Sequence, residues 1–346
     1  MNGTFASRNG LVPRLLHEYG GIVRSELRRY LPSKEPRRYL YDLLADYPRR
    51  GGKMMRPALC IATARAFGAP LEAALRSAVA IELLHNALLI HDDIEDESEE
   101  RRGLPTLHAL HGVPLALNAG DTLTLMSLRP LIENADLLGP ELSMRVLEET
   151  EIMARESAEG QALELGWRRE NVTSLQVADY LHMVFKKTCW LASIFPIRVG
   201  ALIGTNDSID LDRFLHFGFY LGATFQIWDD ILNLIGNHSY GKERDGDLWE
   251  GKRTLILIDL LQQATPSERL RIQSILQLSR SSKTKAQIGW LRKLVDDRGS
   301  IDNARRIAND MADAALEEYL MLFDDLPDSN DKRFLEDIVP WVMERE

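Results

Sequence analysis

Two groups of acidic residues interrupt stretches of the sequence that are otherwise apolar. The first group contains Asp92, Asp93 and Asp96, and the second contains Asp229 and Asp230. Residues four positions apart lie on one face of a helix, about 5.4 Å apart along its axis, so Asp92 and Asp96 point in the same direction. Stacked carboxylates repel each other unless a cation lies between them. Because Mg²⁺ prefers carboxylate oxygens together with substrate phosphates, the two groups predict a magnesium site between facing helices.

A solvated helix end is the alternative interpretation of the first group, because seven of the nine residues from Asp92 to Glu100 are acidic. The second group is harder to assign to the surface, since Asp229 and Asp230 lie inside an apolar helical pattern. Two such groups in one helical chain favour a single site between helices.

Basic residues, several of them beside glycines, are candidates to complete this site. Glycine lets the backbone approach an anion, and Lys or Arg neutralises phosphate charge. Each residue alone is more typical of a solvated surface, but with the two acidic groups they predict a pocket for polyphosphate esters. In chain order the candidates are Gly51, Gly52, Lys53, Arg56, Arg101, Arg102, Lys187, Thr188, Lys242 and Lys252.

Helical periodicity dominates the elements that must position these residues. Leu75–Ile94 and Leu211–Ile235 are apolar nearly all round, which predicts two central helices. We expect no β-sheet, because alternating patterns bounded by hairpin turns are absent. The sequence therefore predicts an all-α fold of about a dozen helices in a single domain over residues 1–346. The other predicted helices are Met54–Phe67, Leu142–Leu165, Leu181–Ile203, Leu255–Gln263, Ala286–Val295 and Ile301–Leu322.

The composition excludes several classes of protein. The 346 residues are 45% hydrophobic and 27% charged, which excludes disorder and a disulfide scaffold. A formal net charge of −10 argues against a nucleic-acid partner. We expect no membrane span and a cytoplasmic protein, since no apolar run is long enough and Met1–Pro13 lacks the apolar core of a signal peptide. Cys60 and Cys189 lie in apolar stretches and predict buried thiols.

Short segments of the chain resemble the trans-isoprenyl diphosphate synthases, the polyprenyl synthase family, and in particular its geranylgeranyl diphosphate synthase-like members. The resemblance runs from Gly51 to about Leu261. Each segment is weak alone, but their order in a helical context is specific. The segments are GGKMMRP (51–57), ELLHNALLIHDDIEDESEERRGLPTLH (82–108), NAGD (118–121), EGQALEL (159–165), FKKT (185–188), FQIWDDILN (225–233) and GKERDGDLWEGKRT (241–254).

The resemblance implies an isoprenoid synthase-type antiparallel helical bundle around a deep apolar cavity, assembled as a homodimer. It implies that Asp92, Asp96 and Asp229 hold three Mg²⁺ ions that grip an allylic diphosphate, with Asp93 and Asp230 in support. The residues that match positions contacting this diphosphate or closing the site are Arg101, Lys187, Thr188, Gln226, Lys242 and Lys252. The residues that match the isopentenyl diphosphate site are Gly52, Lys53, Arg56, His85 and Arg102.

Two positions depart from the family pattern. Asn233 stands where many members have Asp, although its amide oxygen can still act as a ligand. Glu164 stands where an Asp commonly adds a metal ligand, and its longer arm would shift that metal or contact it through water.

The resemblance also implies the reaction, a Mg²⁺-dependent prenyl transfer. Loss of diphosphate from the allylic substrate leaves an allylic carbocation. The double bond of isopentenyl diphosphate attacks this cation, and a proton is then lost to the released diphosphate, since no side chain is an obvious general base. Metal ions and cationic side chains stabilise the departing diphosphate, and apolar walls exclude water.

The growing chain is expected to run back along the helix that ends at Asp92. Leu88, Ala87 and Leu84 precede this residue by four, five and eight positions, and each turn adds about 5.4 Å of depth. In similar enzymes a bulky aromatic five positions before the motif stops elongation early. Because Ala87 is small, we expect a C20 product, geranylgeranyl diphosphate, or a somewhat longer one, unless Ala87 packs against a neighbouring helix. The alternative floor residues are Leu123 and Met126.

Two other functions share these features. A class I terpene cyclase on the same fold needs the acidic groups but not a second diphosphate site. The synthase is favoured by the presence of Lys53, Arg56, His85 and Arg102. A non-catalytic regulatory subunit usually lacks acids in one of the two groups, and neither group is broken here. Mg²⁺-dependent diphosphate release, measured with and without isopentenyl diphosphate, separates the three functions.

Overall fold

The computed structural model describes residues 10–236 and 243–345. These residues form a bundle of α-helices, which confirms the all-α prediction. The helices are α1 (Leu11–Leu27), α2 (Asp42–Leu44), α3 (Asp46–Arg49), α4 (Met55–Ala66), α5 (Leu71–Glu95), α6 (Leu107–His111), α7 (Val113–Met126), α8 (Leu128–Glu133), α9 (Ala135–Leu138), α10 (Pro140–Arg169), α11 (Val177–Val184), α12 (Phe195–Thr205), α13 (Leu215–Ile235), α14 (Gly246–Glu250), α15 (Leu255–Gln263), α16 (Pro266–Leu276), α17 (Lys285–Arg298), α18 (Ser300–Phe323) and α19 (Asn330–Met343). Two π-helical segments, Arg37–Tyr41 and Phe185–Ile194, and three short 3₁₀ turns, Arg28–Tyr30, Leu211–Phe214 and Arg280–Ser282, connect them.

The two helices predicted to be central lie in the core. α5 packs against α4, α7 and α8, and α13 packs against α18 and the π-helical segment Phe185–Ile194. Both helices are apolar nearly all round, so burial on several sides removes the most apolar surface from water. α5 starts after Pro70, whose extended ψ of 151° does not continue into the helix, and α13 ends at Gly236. Their C-terminal ends carry the two acidic groups.

One continuous helical run, from Val177 to Thr205, consists of α11, the π-helical segment Phe185–Ile194 and α12. The sequence predicts a single regular helix here, and the structure differs by the wider turns of the π-helical segment. Such segments are often found at functional sites, and this one carries Lys187. Cys189 in the same segment and Cys60 in α4 are free and fully buried, as predicted, and burial raises the pKa of Cys60 to about 12.

A short hairpin, whose two strands have two residues each, contradicts the expectation that strands are absent. Glu100–Arg101 (β1) pairs antiparallel with Leu104–Pro105 (β2). The connecting residues Arg102 and Gly103 have φ values of 55° and 72°, as a tight two-residue hairpin turn requires. Strands of two residues are too short to show the alternating pattern on which the prediction relied.

Two helical runs are longer and more apolar than the sequence analysis expected. Leu71–Glu95 and Val177–Thr205 are long and apolar enough to cross a membrane by length and composition alone. In the structure, 67% and 83% of their apolar windows are buried inside the protein. Burial of this extent is typical of core helices.

Candidate active site

A large cavity lies among α5, α10, the π-helical segment and α13. Its volume is about 890 Å³. The lining is polar at Asp92, near the end of α5, and includes the apolar Leu88 and Leu84 one and two turns earlier on the same helix. Such a cavity is large enough for a ligand of drug size or above. The predicted site residues that line it are Gly52, Lys53, Arg56, Leu84, His85, Leu88, Asp92, Arg101, Arg102, Lys187, Thr188, Gln226 and Asp229.

A smaller cavity of about 100 Å³ adjoins the polar end. The two cavities share Asp92, Lys187 and Asp229. The smaller cavity adds Glu164 and Lys252, and with them further charge of both signs. The structure therefore brings residues of both acidic groups to one polar space.

The carboxylates of the first acidic group have different environments. Asp92 lines the cavity, and its carboxylate lies 3.2 Å from Lys187 Nζ and 3.8 Å from Arg101 Nη2. The Asp93 side chain is buried behind it and accepts hydrogen bonds from Arg101 Nε at 3.0 Å and from the Tyr47 hydroxyl at 2.5 Å. Burial opposes the charge of Arg101, but the Asp93 carboxylate raises the pKa of this guanidinium. Asp93 therefore holds Arg101 in position beside Asp92.

Asp96 is enclosed by two cations. Its side chain is only 1% exposed and lies 2.6 Å from Lys252 Nζ, and it also pairs with Arg168 of α10. Asp96 does not line the large cavity, because these two cations cover it. Coordination of a metal by this carboxylate would require at least one of them to move.

The second acidic group has the same division between an accessible and a buried carboxylate. Asp229 lines the cavity and pairs with Arg345 at 3.4 Å. Asp230 accepts hydrogen bonds from the Tyr180 hydroxyl and from Gln226 Nε2, both at 2.7 Å. Burial raises the pKa of Asp230, and these two donors oppose that shift. The Gln226 amide is fixed further, since its Oε1 accepts from the Thr188 hydroxyl at 2.9 Å.

Glu164 and Asn233, the two departures from the family pattern, occupy different positions. The Glu164 side chain lines the smaller cavity and pairs with Lys187. Asn233 Oδ1 accepts a hydrogen bond from the backbone N–H of Asp247 at 3.0 Å, so it attaches the start of α14 to α13. Asn233 therefore has a structural contact that an Asp would also make.

The chemistry of these side chains fits a magnesium site that substrate phosphates complete. Within the described ranges, 10–236 and 243–345, no three His, Cys, Asp or Glu side chains form a metal-binding group by themselves. Cationic side chains lie between the carboxylates instead: although burial opposes it, Asp92 and Glu164 raise the pKa of Lys187. Carboxylates that need a cation between them, beside a polar cavity, suit the one or two carboxylates plus phosphate oxygens that Mg²⁺ prefers.

A second cluster of cations lines the cavity at the start of α4. The Arg56 residue is half-buried, and its Nε atom is buried and has no hydrogen-bond partner among the described residues. Burial lowers the pKa of Arg56 to about 10, and Glu82 opposes that shift. Burial and the Arg56 charge lower the pKa of His85 to about 4, so this imidazole is neutral at pH 7. A guanidinium with a buried, unused donor is a ready site for an anion.

Close packing fixes the backbone beside this cluster. Gly52 has a φ of 158°, and a Cβ there would lie 3.0 Å from Arg102 Nη2. Arg102 also donates to the carbonyl of Tyr47 at 2.6 Å. The absence of a side chain at Gly52 thus lets Arg102 approach the backbone near Lys53.

The chain-length residues do not all face the cavity. Leu84 and Leu88 line it, whereas Ala87 is fully buried and is absent from the described lining. Ala87 lies one turn before His91, a residue that packs against Gly120 of α7. His91 also lines the cavity, so the possibility that Ala87 faces the growing chain stays a prediction.

The cavity is also lined by residues that no sequence motif marks. Thr124, Met153 and Leu191 line it, whereas the alternative floor residues Leu123 and Met126 do not. The sequence points to the region of Thr124, because the floor candidate Leu123 is the preceding residue on α7. The positions of Met153 and Leu191 in the lining depend on how α10 and the π-helical segment pack against α5. Helical periodicity does not determine this packing.

Arg345 and Arg168 are further residues that sequence reasoning missed. Arg345 lines the cavity, pairs with Asp229 and lies over the Phe225 ring with its guanidinium carbon 4.1 Å from the centroid. No motif marks this residue near the end of the chain. The predicted residue Lys242 lies outside the described residues.

Comparison with known proteins identifies the family. The family model described as polyprenyl synthetase matches residues 37–294. A geranylgeranyl pyrophosphate synthase of Geoglobus acetivorans is 31% identical over 336 residues, covering 97% of this chain and 100% of that protein. The crystal structure of a geranylgeranyl pyrophosphate synthetase from Pyrococcus horikoshii Ot3 has a TM-score of 0.84 at 33% identity and covers 97% of this chain and 98% of that one.

A second solved structure extends the comparison to a liganded protein. The polyprenyl synthase from Caulobacter crescentus CB15, complexed with calcium and isoprenyl diphosphate, has a TM-score of 0.86 at 27% identity and covers 99% of both chains. The residues that the family model matches, 37–294, include both acidic groups and the cations at the start of α4. The chain therefore belongs to the polyprenyl synthetase family, the trans-isoprenyl diphosphate synthases, and is similar to its geranylgeranyl diphosphate synthases.

Proposed function

We propose that this prenyltransferase condenses isopentenyl diphosphate with an allylic diphosphate in the 890 Å³ cavity. The observation that carries the proposal is that one cavity holds the accessible carboxylates Asp92 and Asp229 together with a separate cluster of cations at Lys53 and Arg56. Two differently built polar regions suit two different diphosphates. A terpene cyclase would need only the first of these regions.

The allylic diphosphate is assigned to the end that holds Asp92 and Asp229. When bound there, Mg²⁺ would supply Lewis-acid stabilisation of the leaving diphosphate. Lys187, Arg101 and Lys252 lie beside the carboxylates and would bind diphosphate oxygens once the carboxylates are engaged. Charge-assisted hydrogen bonds of this kind stabilise the negative charge that develops as the diphosphate leaves.

Three Mg²⁺ ions are proposed, held by Asp92, Asp96 and Asp229, with Glu164 as a further ligand. Support comes from the donor chemistry of the carboxylates and from the Caulobacter polyprenyl synthase, whose structure contains calcium with isoprenyl diphosphate. Asp93 and Asp230 would act through Arg101 and Gln226, which they bind directly.

Isopentenyl diphosphate is assigned to the cluster of Lys53, Arg56, His85 and Arg102 beside Gly52. The neutral His85 imidazole can donate a hydrogen bond to a phosphate oxygen without adding charge. Arg56 supplies the unused donor at its buried Nε atom. The walls between the two assigned regions exclude water, which would otherwise capture the carbocation.

The proposed product is a linear C20 prenyl diphosphate or one of similar length. Support comes from the geranylgeranyl synthases among the relatives and from the apolar end of the cavity. Leu84 lies eight residues before Asp92, which corresponds to about 12 Å of depth along α5. Leucine side chains at Leu84 and Leu88 narrow the cavity less than an aromatic ring would.

We also propose a single-domain chain that works as a homodimer in the cytoplasm. One hydrophobic cluster runs from Val12 in α1 to Val342 in α19, which supports a single domain. A row of exposed apolar side chains supports the dimer, since monomers rarely expose contiguous apolar patches. These residues are Leu110, Val113, Leu117, Leu125, Leu128 and Ile132, in α6, α7 and α8.

Release of diphosphate tests the proposed reaction. Purified protein is given Mg²⁺ and a C15 allylic diphosphate, with and without isopentenyl diphosphate, and the released diphosphate is measured. We expect release only when both substrates and Mg²⁺ are present. Release without isopentenyl diphosphate would indicate a cyclase, and no release under any condition would indicate a regulatory subunit.

A further inference from the structure

The turn that carries Lys252 is short and needs support from elsewhere in the chain. Lys252 follows the five-residue helix α14 and Gly251, whereas Lys187 lies inside a long helical run. Its ammonium lies 2.6 Å from Asp96 and 3.0 Å from Glu250. Whether Lys252 faces the acidic groups therefore depends on what fixes α14 and the residues after it.

The start of α14 is attached to α13. Asn233 accepts two hydrogen bonds there: its carbonyl from the Asp245 N–H at 2.9 Å, and its side-chain Oδ1 from the Asp247 N–H at 3.0 Å. These bonds place the beginning of α14 but not the turn that follows its end.

The end of α14 is held by Lys283, which follows the turn Arg280–Ser282. Its Nζ donates to the carbonyl of Trp249 at 2.5 Å and lies 3.4 Å from the carbonyl of Leu248. These carbonyls are at the C-terminal end of α14, where a cation is favoured. Gly251 has a φ of +72°, and a Cβ there would lie 3.1 Å from Lys283 Nζ, so the glycine lets the ammonium approach.

A second buried cation, Arg253, holds the other side of the same turn. Arg253 donates to the carbonyls of Gly251 and, at 3.1 Å, Val172, and to Asn171 Oδ1 at 2.7 Å. The Arg253 residue is only 2% exposed. The turn before Lys252 is thus tied to the loop after α10 as well as to Lys283.

Burial of the charges of Lys283 and Arg253 is unfavourable in free energy. Within residues 10–236 and 243–345, neither Lys283 nor Arg253 forms an ion pair with a carboxylate, and both bind carbonyls instead. Burial and the nearby charges of Arg168, Arg253 and Arg280 lower the pKa of Lys283 to about 8. Buried cations without carboxylate partners are costly, so a gain in function would explain their presence.

We propose that Lys283 and Arg253 are positioning residues that hold the turn at Gly251 so that Lys252 faces the acidic groups. The inference rests on the proposed function, because it assigns Lys252 to the allylic diphosphate. It extends that function to Lys283, which lines neither cavity, and to Arg253, which lines only the smaller one.

The test uses Lys283→Met, which removes the donor but keeps an unbranched side chain. KM is measured separately for the allylic diphosphate and for isopentenyl diphosphate, and hydrogen exchange is measured for residues 246–254 without substrate. We expect KM for the allylic diphosphate to rise about tenfold, since one charged contact is weakened, while KM for isopentenyl diphosphate stays within about twofold. Exchange should be faster in residues 246–254.

Three further variants complete the experiment. Lys283→Arg keeps the cation, so its KM for the allylic diphosphate should be close to that of the wild type. Arg253→Lys should raise this KM less than Lys283→Met does. Lys293→Met, at an exposed lysine of α17 that is paired with Asp297, should change neither KM.

Several results would overturn the inference. An equal rise in both KM values, or an unchanged allylic KM in a folded Lys283→Met protein, contradicts the positioning role. If wild-type protein shows no activity, the proposed function fails, and hydrogen exchange still decides the inference. Unchanged exchange at residues 246–254 in both Lys283→Met and Arg253→Lys overturns it.

Discussion

Adjacent aspartates in each acidic group differ in what they face. Asp92 and Asp229 line the cavity, whereas Asp93 and Asp230 are buried behind them and bind Arg101 and Gln226 respectively. The helical repeat explains this difference, because consecutive residues point about 100° apart. One residue of each pair is thus available to a metal ion while its neighbour fixes a side chain of the pocket.

Replacement of Asp92 by Asn tests the metal assignment. We expect kcat to fall by about 100-fold or more, because loss of a metal-binding charge removes several kcal/mol of transition-state stabilisation. Steady-state rates and far-UV circular dichroism would be measured together. Glu97→Gln, at an exposed position of the same acidic run, is the matched control and should keep its activity. A nearly normal rate for Asp92→Asn would refute the assignment.

Leu88 and Leu84 test the depth of the cavity. Leu88→Phe places an aromatic ring one turn below Asp92 and should shift the product towards C15. Leu84→Ala should shift it towards longer chains, because it removes side-chain volume one turn deeper. Mass spectrometry of the dephosphorylated products measures both shifts. If both variants gave the product distribution of the wild type, the chain would not grow along α5.

His85 makes stability dependent on pH. Burial and Arg56 lower the pKa of His85 from 6.5 to about 4, so between these values the unfolded chain binds a proton that the folded protein does not. The free energy of unfolding should therefore fall as the pH decreases from 6.5 to 4. In urea titrations, the free energy of unfolding of His85→Gln should fall less between pH 6.5 and 4 than that of the wild type. His17→Gln, at an exposed position of α1, should show the same fall as the wild type. An identical fall in His85→Gln would contradict the shift.

At the scale of the elements, α10 and the π-helical segment approach so closely that a glycine is required. A Cβ at Gly160 would lie 2.6 Å from the Cα of Lys187. Backbone atoms cannot move aside as a side chain can. The position of Lys187 beside Asp92 and Glu164 therefore depends on the contact between these two elements.

Gly160→Ala should separate α10 from the π-helical segment and displace Lys187. We expect a loss of about 1–3 kcal/mol in the free energy of unfolding from overpacking, together with a lower kcat. Gly166→Ala is a matched control in the same helix, since a Cβ there meets no atom within 4 Å. The control should be slightly stabilised, by up to about 1 kcal/mol. Equal stability of the two variants would contradict the close contact.

Periodicity predicts the elements whose burial is nearly uniform, such as α5 and α13, and their ends place both acidic groups. It does not predict the hairpin β1–β2, which has two-residue strands, or the π-helical segment, which forms within a regular apolar pattern. Contacts between distant parts of the chain, such as Arg345 with Asp229, depend on tertiary packing, which a local pattern does not encode.

At the scale of the whole molecule, the exposed apolar side chains of α7 and α8 support the proposed homodimer. Leu125 is 68% exposed within this face. Wild-type protein should sediment as a dimer, and Leu125→Glu should shift it towards the monomer, because the interface would bury an unpaired charge. Leu270→Glu is the matched control, since Leu270 is 69% exposed but lies on α16. A monomeric wild type, or a dimer that survives Leu125→Glu, would contradict the assignment.

The central claim is that one cavity joins two prenyl diphosphates into a longer linear chain. The most direct test gives purified protein labelled isopentenyl diphosphate, Mg²⁺ and a C5, C10, C15 or C20 allylic diphosphate, and sizes the dephosphorylated products by mass spectrometry. The account predicts labelled linear prenyl alcohols that accumulate at C20 or a similar length. Absence of label from the products of every primer would contradict it.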